Sequence, residues 1–502
     1  MPLWSDSRSL REAISGHDNN YTLIRAILAA SVIYFHAFAL TRTPGAIDPL
    51  NAMLAPVSDI GDLAVQSFFF LSGLFVAQSY SNDPKTIRFI LRRFFRIWPG
   101  LFVCLFVTAF LSCAISTPKE FARFAFFNGV YEYILRNAVL DLTWYIPGVF
   151  EDHALSAING PIHTLVMEAK MYALLAVLGA VGLLATTRRL GITCVLAGVA
   201  CLMVGSTLPD IGWFFSAPYA HPAAAMFFAG STAFALSRWI YPRLWQGILL
   251  GIATAILPGG AHKFMFFATV AWALLYLGQS PMLAKLGRPR QDLSYGIYIY
   301  GWPCQQFVVA ATSTHVNPYL MAALALPLSC VFAAASWNLI EKPAIRLGHL
   351  LPAVTINSIK RRASVITDVQ RRALRLGGVL FVMLAACISM RIATTAHDFV
   401  VPSPLTVRIV DFGPKESKKG TPFNEQPDGT FAIWLKLDGV PPTGTTVYLA
   451  GHKLDTFITA GVATANISPS IIATAGEKSV YLERRTVHGI ERSKSVHLLI
   501  SE

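Results

Sequence analysis

A succession of apolar segments, each about the length a helix needs to cross a bilayer, constrains this chain more than any other feature. A hydrocarbon core is spanned by roughly 20 mostly apolar residues. Inside it every backbone amide must be satisfied within its own segment, so a lone segment of this kind is helical. About eleven segments qualify, near 21–40, 62–80, 99–116, 164–185, 190–207, 221–237, 244–258, 264–279, 293–312, 318–340 and 376–394. With 54% of residues hydrophobic and only 14% charged, the chain reads as an integral membrane protein rather than a soluble globule. The polar start "MPLWSDSRSLREAISGHDNN" is followed by an apolar segment too long for a signal peptide and lacking a cleavage site, so the first helix is expected to be retained.

The basic residues set the expected orientation. With the N-terminus inside, inside segments hold Arg8, Arg11, Lys85, Arg88, Arg92, Arg93, Arg96, Arg188, Arg189, Arg238 and Arg243, and the stretch 341–375 adds a further basic run. Outside loops hold only Arg42, Lys119, Arg123, Arg136 and Lys263, which predicts N-in and C-out by the positive-inside rule. The net charge of +13 therefore does not point to nucleic acid: residues 401–502 carry 11 Lys+Arg and 10 Asp+Glu, or +1, which leaves +12 for the membrane part. All seven cysteines fall in the expected spans, so neither a disulfide framework nor a thiol metal site is indicated, and no metal is expected.

Four segments follow from this pattern. Residues 1–346 read as an all-α polytopic bundle of ten spans, 347–375 as a basic cytoplasmic linker, and 376–394 as an eleventh membrane helix. Residues 400–502 break into short runs such as "TFAIWLKL" and "SVYLERR" between Gly, Pro, Asn and Asp, the pattern of a small extracytoplasmic all-β sandwich that resembles immunoglobulin-like or IPT-type modules. The outside stretch 117–163 gathers Asp141, Trp144, Tyr145, Glu151, Asp152 and His153. Such groups stack on and hydrogen-bond sugars, but equally form an interfacial aromatic belt.

Arg25 and His36, in "RAILAASVIYFHAF", are the first costly residues inside a span. Eleven positions apart, they return to one helical face within roughly 20° and lie about 16 Å apart along the axis. Ionisable groups in spans usually face a bundle interior or aqueous cavity, although Arg25 also fits a snorkelling cation and His36 a satisfied hydrogen-bonder. Glu168, in "PIHTLVMEAKMY", needs a partner such as Lys170, a histidine or an arginine. Ser72 and Gly73 read as a small pair that lets helices approach closely. In "RRFFRIWP", Arg92 and Arg96 are i, i+4 neighbours with Arg93 flanking them, a set that suits phosphate recognition as well as plain topology. The sequence has no P-loop, no G-x-S-x-G elbow and no H-E-x-x-H helix, which weakens ATP-driven and soluble-hydrolase readings.

The ordered motifs "YTLIRAILAASVIYFHAF", "VQSFFFLSGLFVAQS", "FILRRFFRIWPGLF", "IHTLVMEAKMY", "LSYGIYIYGWP" and "WNLIEKPAIRL" resemble membrane acyltransferase family 3 over about residues 18–347. That family includes O-acetyltransferases of envelope polysaccharides and nodulation factors. The resemblance implies a ten-helix bundle in a bacterial inner membrane that moves an acyl group, commonly acetyl from acetyl-CoA, to a carbohydrate hydroxyl. Its first-helix Arg and His match Arg25 and His36, its cytoplasmic arginines match Arg92, Arg93 and Arg96, and its glutamate motif matches Glu168. Two positions depart from the family: His163 stands where a Trp is usual, and Gly301 where a His is common.

Combined with the chemistry of acyl transfer, the resemblance implies His36 as general base in a direct transfer, a covalent acyl-His36 being the alternative, and Arg25 as a donor-side group that contacts acyl-CoA or organises the cavity. Glu168 would orient His36 or polarise the acceptor, and the arginine cluster would hold coenzyme A phosphates. The expected partners are acyl-CoA, a carbohydrate or lipid-linked glycan acceptor, and membrane lipid. A transporter or flippase of a glycan precursor is the alternative class, and a membrane scaffold displaying the β domain a third.

Overall fold

A computed structural model of the chain describes residues 8–16, 18–41, 48–116, 129–207, 220–312, 316–350 and 403–501, the last except 406, 420–422, 425–430, 440, 443, 451, 460, 468–474 and 487–488. The linker beyond 350 and the expected eleventh helix at 376–394 lie outside the described residues.

The helical part runs α1 (Leu10–Ser15), α2 (Tyr21–Leu40), α3 (Pro49–Leu54), α4 (Ile60–Asn82), α5 (Thr86–Ser116), α6 (Val130–Ala138), α7 (His163–Ala180), α8 (Thr187–Thr207), α9 (Ala220–Ala235), α10 (Leu244–Ile256), α11 (Gly259–Leu277), α12 (Pro281–Ala284), α13 (Ser294–Ala311), α14 (Pro318–Ser336), a π-helical turn (Trp337–Glu341) and α15 (Lys342–Leu350). Each of the ten segments expected in the bundle overlaps one of these helices. Among the described residues, α2, α4, α5, α7, α11 and the continuous stretch Pro318–Leu350 are long and apolar enough to cross a membrane by length and composition. The chain is accordingly a multi-pass membrane protein.

Local chemistry sets several boundaries. Ser9 and Glu12 close a capping box on α1, Asp59 caps α4 by accepting from the Asp62 amide at 2.7 Å, and Asn317 followed by Pro318 starts α14. The helix α5 begins thirteen residues before the expected span, at Thr86, so the arginine motif and the apolar run share one helix with Pro99 inside it. On α10 the side chains Leu244, Ile248, Ile252 and Ile256 form an exposed stripe at four-residue spacing. Such a stripe is an aggregation liability in water and an ordinary solvated face in lipid.

The closest helix approach joins α4 to α9. A Cβ on Gly73 would lie 1.8 Å from the Phe227 carbonyl oxygen, and one on Gly230 would lie 1.9 Å from that of Phe70. The Ser231 hydroxyl donates to the Gly73 carbonyl at 3.1 Å across the same contact. The expected small-residue packing is thus carried by Gly73, whereas Ser72, one step round the helix, faces elsewhere.

Two compact units are distinguished. Met1–Ile115, Glu132–Tyr145 and Asp152–Cys387 contribute the described residues of the first, and Ser116–Tyr131, Ile146–Glu151 and Ile388–Glu502 those of the second. Among the described residues of the second unit the strands are β1 (Ser403–Pro404), β2 (Ile409–Gly413), β3 (Glu416–Lys418), β4 (Phe431–Leu437), β5 (Thr446–Leu449), β6 (His452–Lys453), β7 (Asp455–Thr459), β8 (Val462–Ile467), β9 (Gly476–Thr486), β10 (Gly489–Arg492) and β11 (Val496–Ser501). They form a seven-stranded sheet with the path β1-β10-β9-β11-β3, to which β5 and β6 attach, and a four-stranded sheet ordered β2-β4-β8-β7. Alternate residues of β4 (Phe431–Leu437), β8 (Val462–Ile467) and β9 (Gly476–Thr486) point inward. Ile433, Leu435, Ala463, Ala465, Val480 and Leu482 thereby share one core with Val447, Leu498 and Ile500.

Candidate active site

The first unit encloses a cavity of about 420 Å³ lined from α2, α4, α5, α7, α13 and the π-helical turn. Five of the six residues singled out from the sequence line it: Arg25, Arg92, Arg93, Arg96 and Glu168. Ser72, Tyr172, Asp292, Tyr295, Tyr298, Thr164 and Trp337 join them.

At the mouth, charges form a closed network. Arg25 Nη1 meets Asp292 Oδ2 at 3.0 Å, and Arg96 reaches the same oxygen at 3.5 Å while its other Nη lies 3.2 Å from Glu341 Oε2. Glu341 is 1% exposed and accepts from the Ser336 hydroxyl at 2.9 Å. Its position on the π-helical turn aims the carboxylate at Arg96. Asp292 precedes α13, outside the spanning segments; burial opposes its charge, but Arg25 and Arg96 hold its carboxyl below the usual range. Aromatic faces back the cations, with Arg25 over Phe75 at 5.1 Å and Arg96 over Tyr295 at 5.3 Å.

Arg92 pairs with Asp83, whereas the Arg93 guanidinium lies over Tyr172 at 5.7 Å and donates to Ser79 Oγ at 3.4 Å. The Nε atoms of Arg92 and Arg93 and the indole nitrogen of Trp337 are buried without a hydrogen-bond partner among the described residues. All three are donors, and buried donors left unmade are costly. A ligand rich in anionic acceptors answers that need.

Farther in, Glu168 accepts from Ser72 Oγ at 3.3 Å and from the Tyr172 hydroxyl, while Ser72 and Tyr172 lie 3.2 Å apart. These hydroxyls hydrogen-bond the carboxylate within the bundle, and the Arg93 guanidinium over Tyr172 interacts with it electrostatically. Beyond them Phe68 packs edge-on against Tyr298 at 5.9 Å, and the Tyr298 hydroxyl is 2.6 Å from Thr164 Oγ1.

His36 is not among the residues lining this cavity. It sits in a neighbouring aromatic layer, edge-on to Trp302 at 4.9 Å and coupled electrostatically to His163. The His163 ring lies 5.9 Å from Trp144 and hydrogen-bonds the Gly160 carbonyl at 3.0 Å. Trp302 donates to Ala157 O at 2.8 Å, and Gln306 bonds both His153 and Ala157, so the outer segment is fastened to α13. Trp302 of this layer follows the cavity-lining Tyr298 by four positions, about one helical turn, and His163 directly precedes the cavity-lining Thr164. The shared face of Arg25 and His36 thus serves two adjoining spaces.

Both departures from the family pattern fall near this layer. His163 packs against Trp144, and a Cβ on Gly301 would lie 2.9 Å from Ile33 Cγ1, so α2 and α13 touch where a histidine would need room.

The profile described as an acyltransferase domain, Acyl_transf_3, matches residues 18–338. The chain belongs to acyltransferase family 3. Among its relatives in this family, an "O-acetyl transferase" of Shigella phage Sf6 is 25% identical over 338 residues, covering 64% of this chain and 95% of the relative. A "Nodulation protein 10" of Rhizobium leguminosarum bv. viciae is 26% identical over 379 residues, covering 68% and 97%. No solved structure matches the chain. The acyltransferase match ends at residue 338, so it takes in the cavity apart from Ile345 and His349, and does not reach the β unit. Sequence reasoning did not single out Asp292, Glu341, Tyr172, Tyr298 or Trp302, although each lies in or beside a motif it quoted.

Proposed function

We propose that this acyltransferase moves an acyl group, acetyl by preference, from cytosolic acyl-CoA to a hydroxyl of a cell-envelope or exported glycan. The observation that carries the proposal is the cavity whose mouth gathers four arginines and several unsatisfied buried donors, one helical turn from a histidine set among tryptophans. The Arg92, Arg93 and Arg96 end suits the phosphates of coenzyme A, and Arg25, held by Asp292, organises the same mouth. The layer of His36, His163, Trp144 and Trp302 suits a sugar, because indole faces stack on pyranose rings while imidazoles reach hydroxyls. In this reading the membrane is a bacterial inner membrane, with the N-terminus cytoplasmic and the β unit outside.

The reaction asks little else. His36 takes the proton as the acceptor oxygen attacks the thioester carbon, the tetrahedral intermediate collapses, the C–S bond breaks, and the proton passes to the departing thiolate. Glu168, bonded to Ser72 and Tyr172, polarises groups in the donor cavity. The relative named an O-acetyl transferase supports the acetyl assignment.

The decisive measurement is O-acyl content of purified surface glycans, by mass spectrometry, in a strain lacking the endogenous gene, with and without this chain. Added ester is the expected result. A glycan precursor that changes sides of the membrane without gaining ester would instead support a flippase. A second expectation concerns the donor: Arg93→Gln should weaken acyl-CoA binding to the purified protein by about 10- to 100-fold, since one charge-assisted contact is lost. Unaltered binding would return the arginines to setting orientation alone.

A further inference from the structure

We infer that Phe68, Tyr298 and Thr164 form the wall that selects the length of the acyl group, bounding the donor cavity on the side of the His36 layer. The inference rests on the donor reading above and adds to it a specificity device. All three residues line the cavity. They come from three helices, α4, α7 and α13, and their side chains touch: Phe68 lies edge-on to Tyr298, and the Tyr298 hydroxyl lies 2.6 Å from Thr164 Oγ1.

The wall is tethered at one edge. The Tyr298 hydroxyl also lies 3.3 Å from the Pro161 carbonyl oxygen, to which Thr164 Oγ1 donates at 3.1 Å. Both hydroxyls are thus fixed to the first turn of α7, and the phenol cannot swing without giving up these bonds. Phe68 packs from behind against the apolar cluster that contains Ile33 and Trp302.

Its place in the layering gives the wall its use. On the cavity side are Ser72 on α4 and Glu168 on α7, each one turn from Phe68 and Thr164 respectively. On the far side are Trp302, one turn beyond Tyr298, and His163, which is coupled to His36. A thioester whose phosphates sit among the arginines points its acyl end at this wall. A two-carbon group fits beside the rings, with its carbonyl open to an acceptor oxygen that reaches it from the His36 layer. Each further methylene must displace Phe68 or break the Tyr298 tether before the carbonyl can meet the acceptor oxygen near His36. One methylene too many in a closed apolar pocket costs roughly 10- to 200-fold in rate.

The test compares acetyl-, butyryl- and hexanoyl-CoA as donors for the full-length protein in detergent. Wild type is expected to favour acetyl over butyryl by at least about tenfold, and Phe68→Ala to raise the butyryl-to-acetyl rate ratio by about tenfold or more. Tyr298→Phe, which keeps the ring and removes the tether, should raise it by a smaller factor. For a variant that binds donor but turns over too slowly, the readout is relative affinity: hexanoyl-CoA should gain on acetyl-CoA when Phe68 is truncated. A donor preference and affinity ratio unchanged from wild type in both variants would overturn the wall. Wild type that neither binds acyl-CoA nor transfers any acyl group would instead overturn the donor reading, a result that the ratio experiment separates from failure of the wall.

Discussion

His36→Ala is expected to lower acyl transfer by about 10²- to 10⁴-fold while leaving acyl-CoA binding near the wild-type value. The magnitude is that of a general base removed from a hydroxyl acceptor. The separation of the two readouts follows from the layering, since His36 lies outside the cavity that holds the arginines. A purely structural histidine would behave differently: its contact with Trp302 at 4.9 Å would be lost to any small residue, with protein yield and donor binding falling together. The measurement is O-acyl transfer per mole of folded protein, with donor affinity determined on the same sample. Activity within twofold of wild type would remove His36 from the chemistry.

Gly73→Val should produce the largest loss of folded protein of any single substitution considered. The added Cβ would stand 1.8 Å from the Phe227 carbonyl oxygen, a backbone atom that no rotamer change can move aside. Either α4 and α9 separate, or the Ser231 bond to the Gly73 carbonyl breaks together with the packing around it. Overpacking of a tight core typically costs about 1–3 kcal/mol, and a backbone clash of this kind belongs at or above the top of that range. Thermal unfolding in detergent, followed by size-exclusion chromatography, reads the effect. Gly251→Ala is the matched control, because a Cβ there meets nothing within 4 Å. Equal melting temperatures for the two variants would show that the α4–α9 contact is not a stability determinant.

The helical bundle was legible because spanning segments are long, apolar and few in their possible conformations. Short runs such as "TFAIWLKL" and "SVYLERR" between turn-forming residues likewise announced an all-β region. The candidate site was legible only in part. Arg25, Arg92, Arg93, Arg96 and Glu168 stood out as charges inside or beside apolar segments, and the fold gathers them around one cavity. Their partners were harder to see. Asp292 lies ahead of "LSYGIYIYGWP" and Glu341 within "WNLIEKPAIRL", where a single acid at a helix end reads as an ordinary surface residue. Only the three-dimensional meeting of α2, α5, α13 and the π-helical turn pairs them with arginines up to 267 positions away. The sequence offered Lys170, a histidine or an arginine as the partner of Glu168; its hydrogen bonds come from Ser72 and Tyr172, which apolar segments do not advertise, while Arg93 interacts with it electrostatically.

The π-helical turn at Trp337–Glu341 acts as a phase setting for the end of the bundle. A turn closed five residues on, rather than four, holds one residue more than an α-helical turn, and each residue is worth about 100° of rotation. The helix α15 that follows Glu341 is therefore turned relative to α14 by an amount set by one inserted position. Ile345 and His349, which line the cavity from α15, owe their inward bearing to that single step. In this protein the length of a chain segment, as much as the identity of its side chains, specifies which groups greet the donor, and a one-residue deletion there would reassign a whole helical face without altering any residue on it.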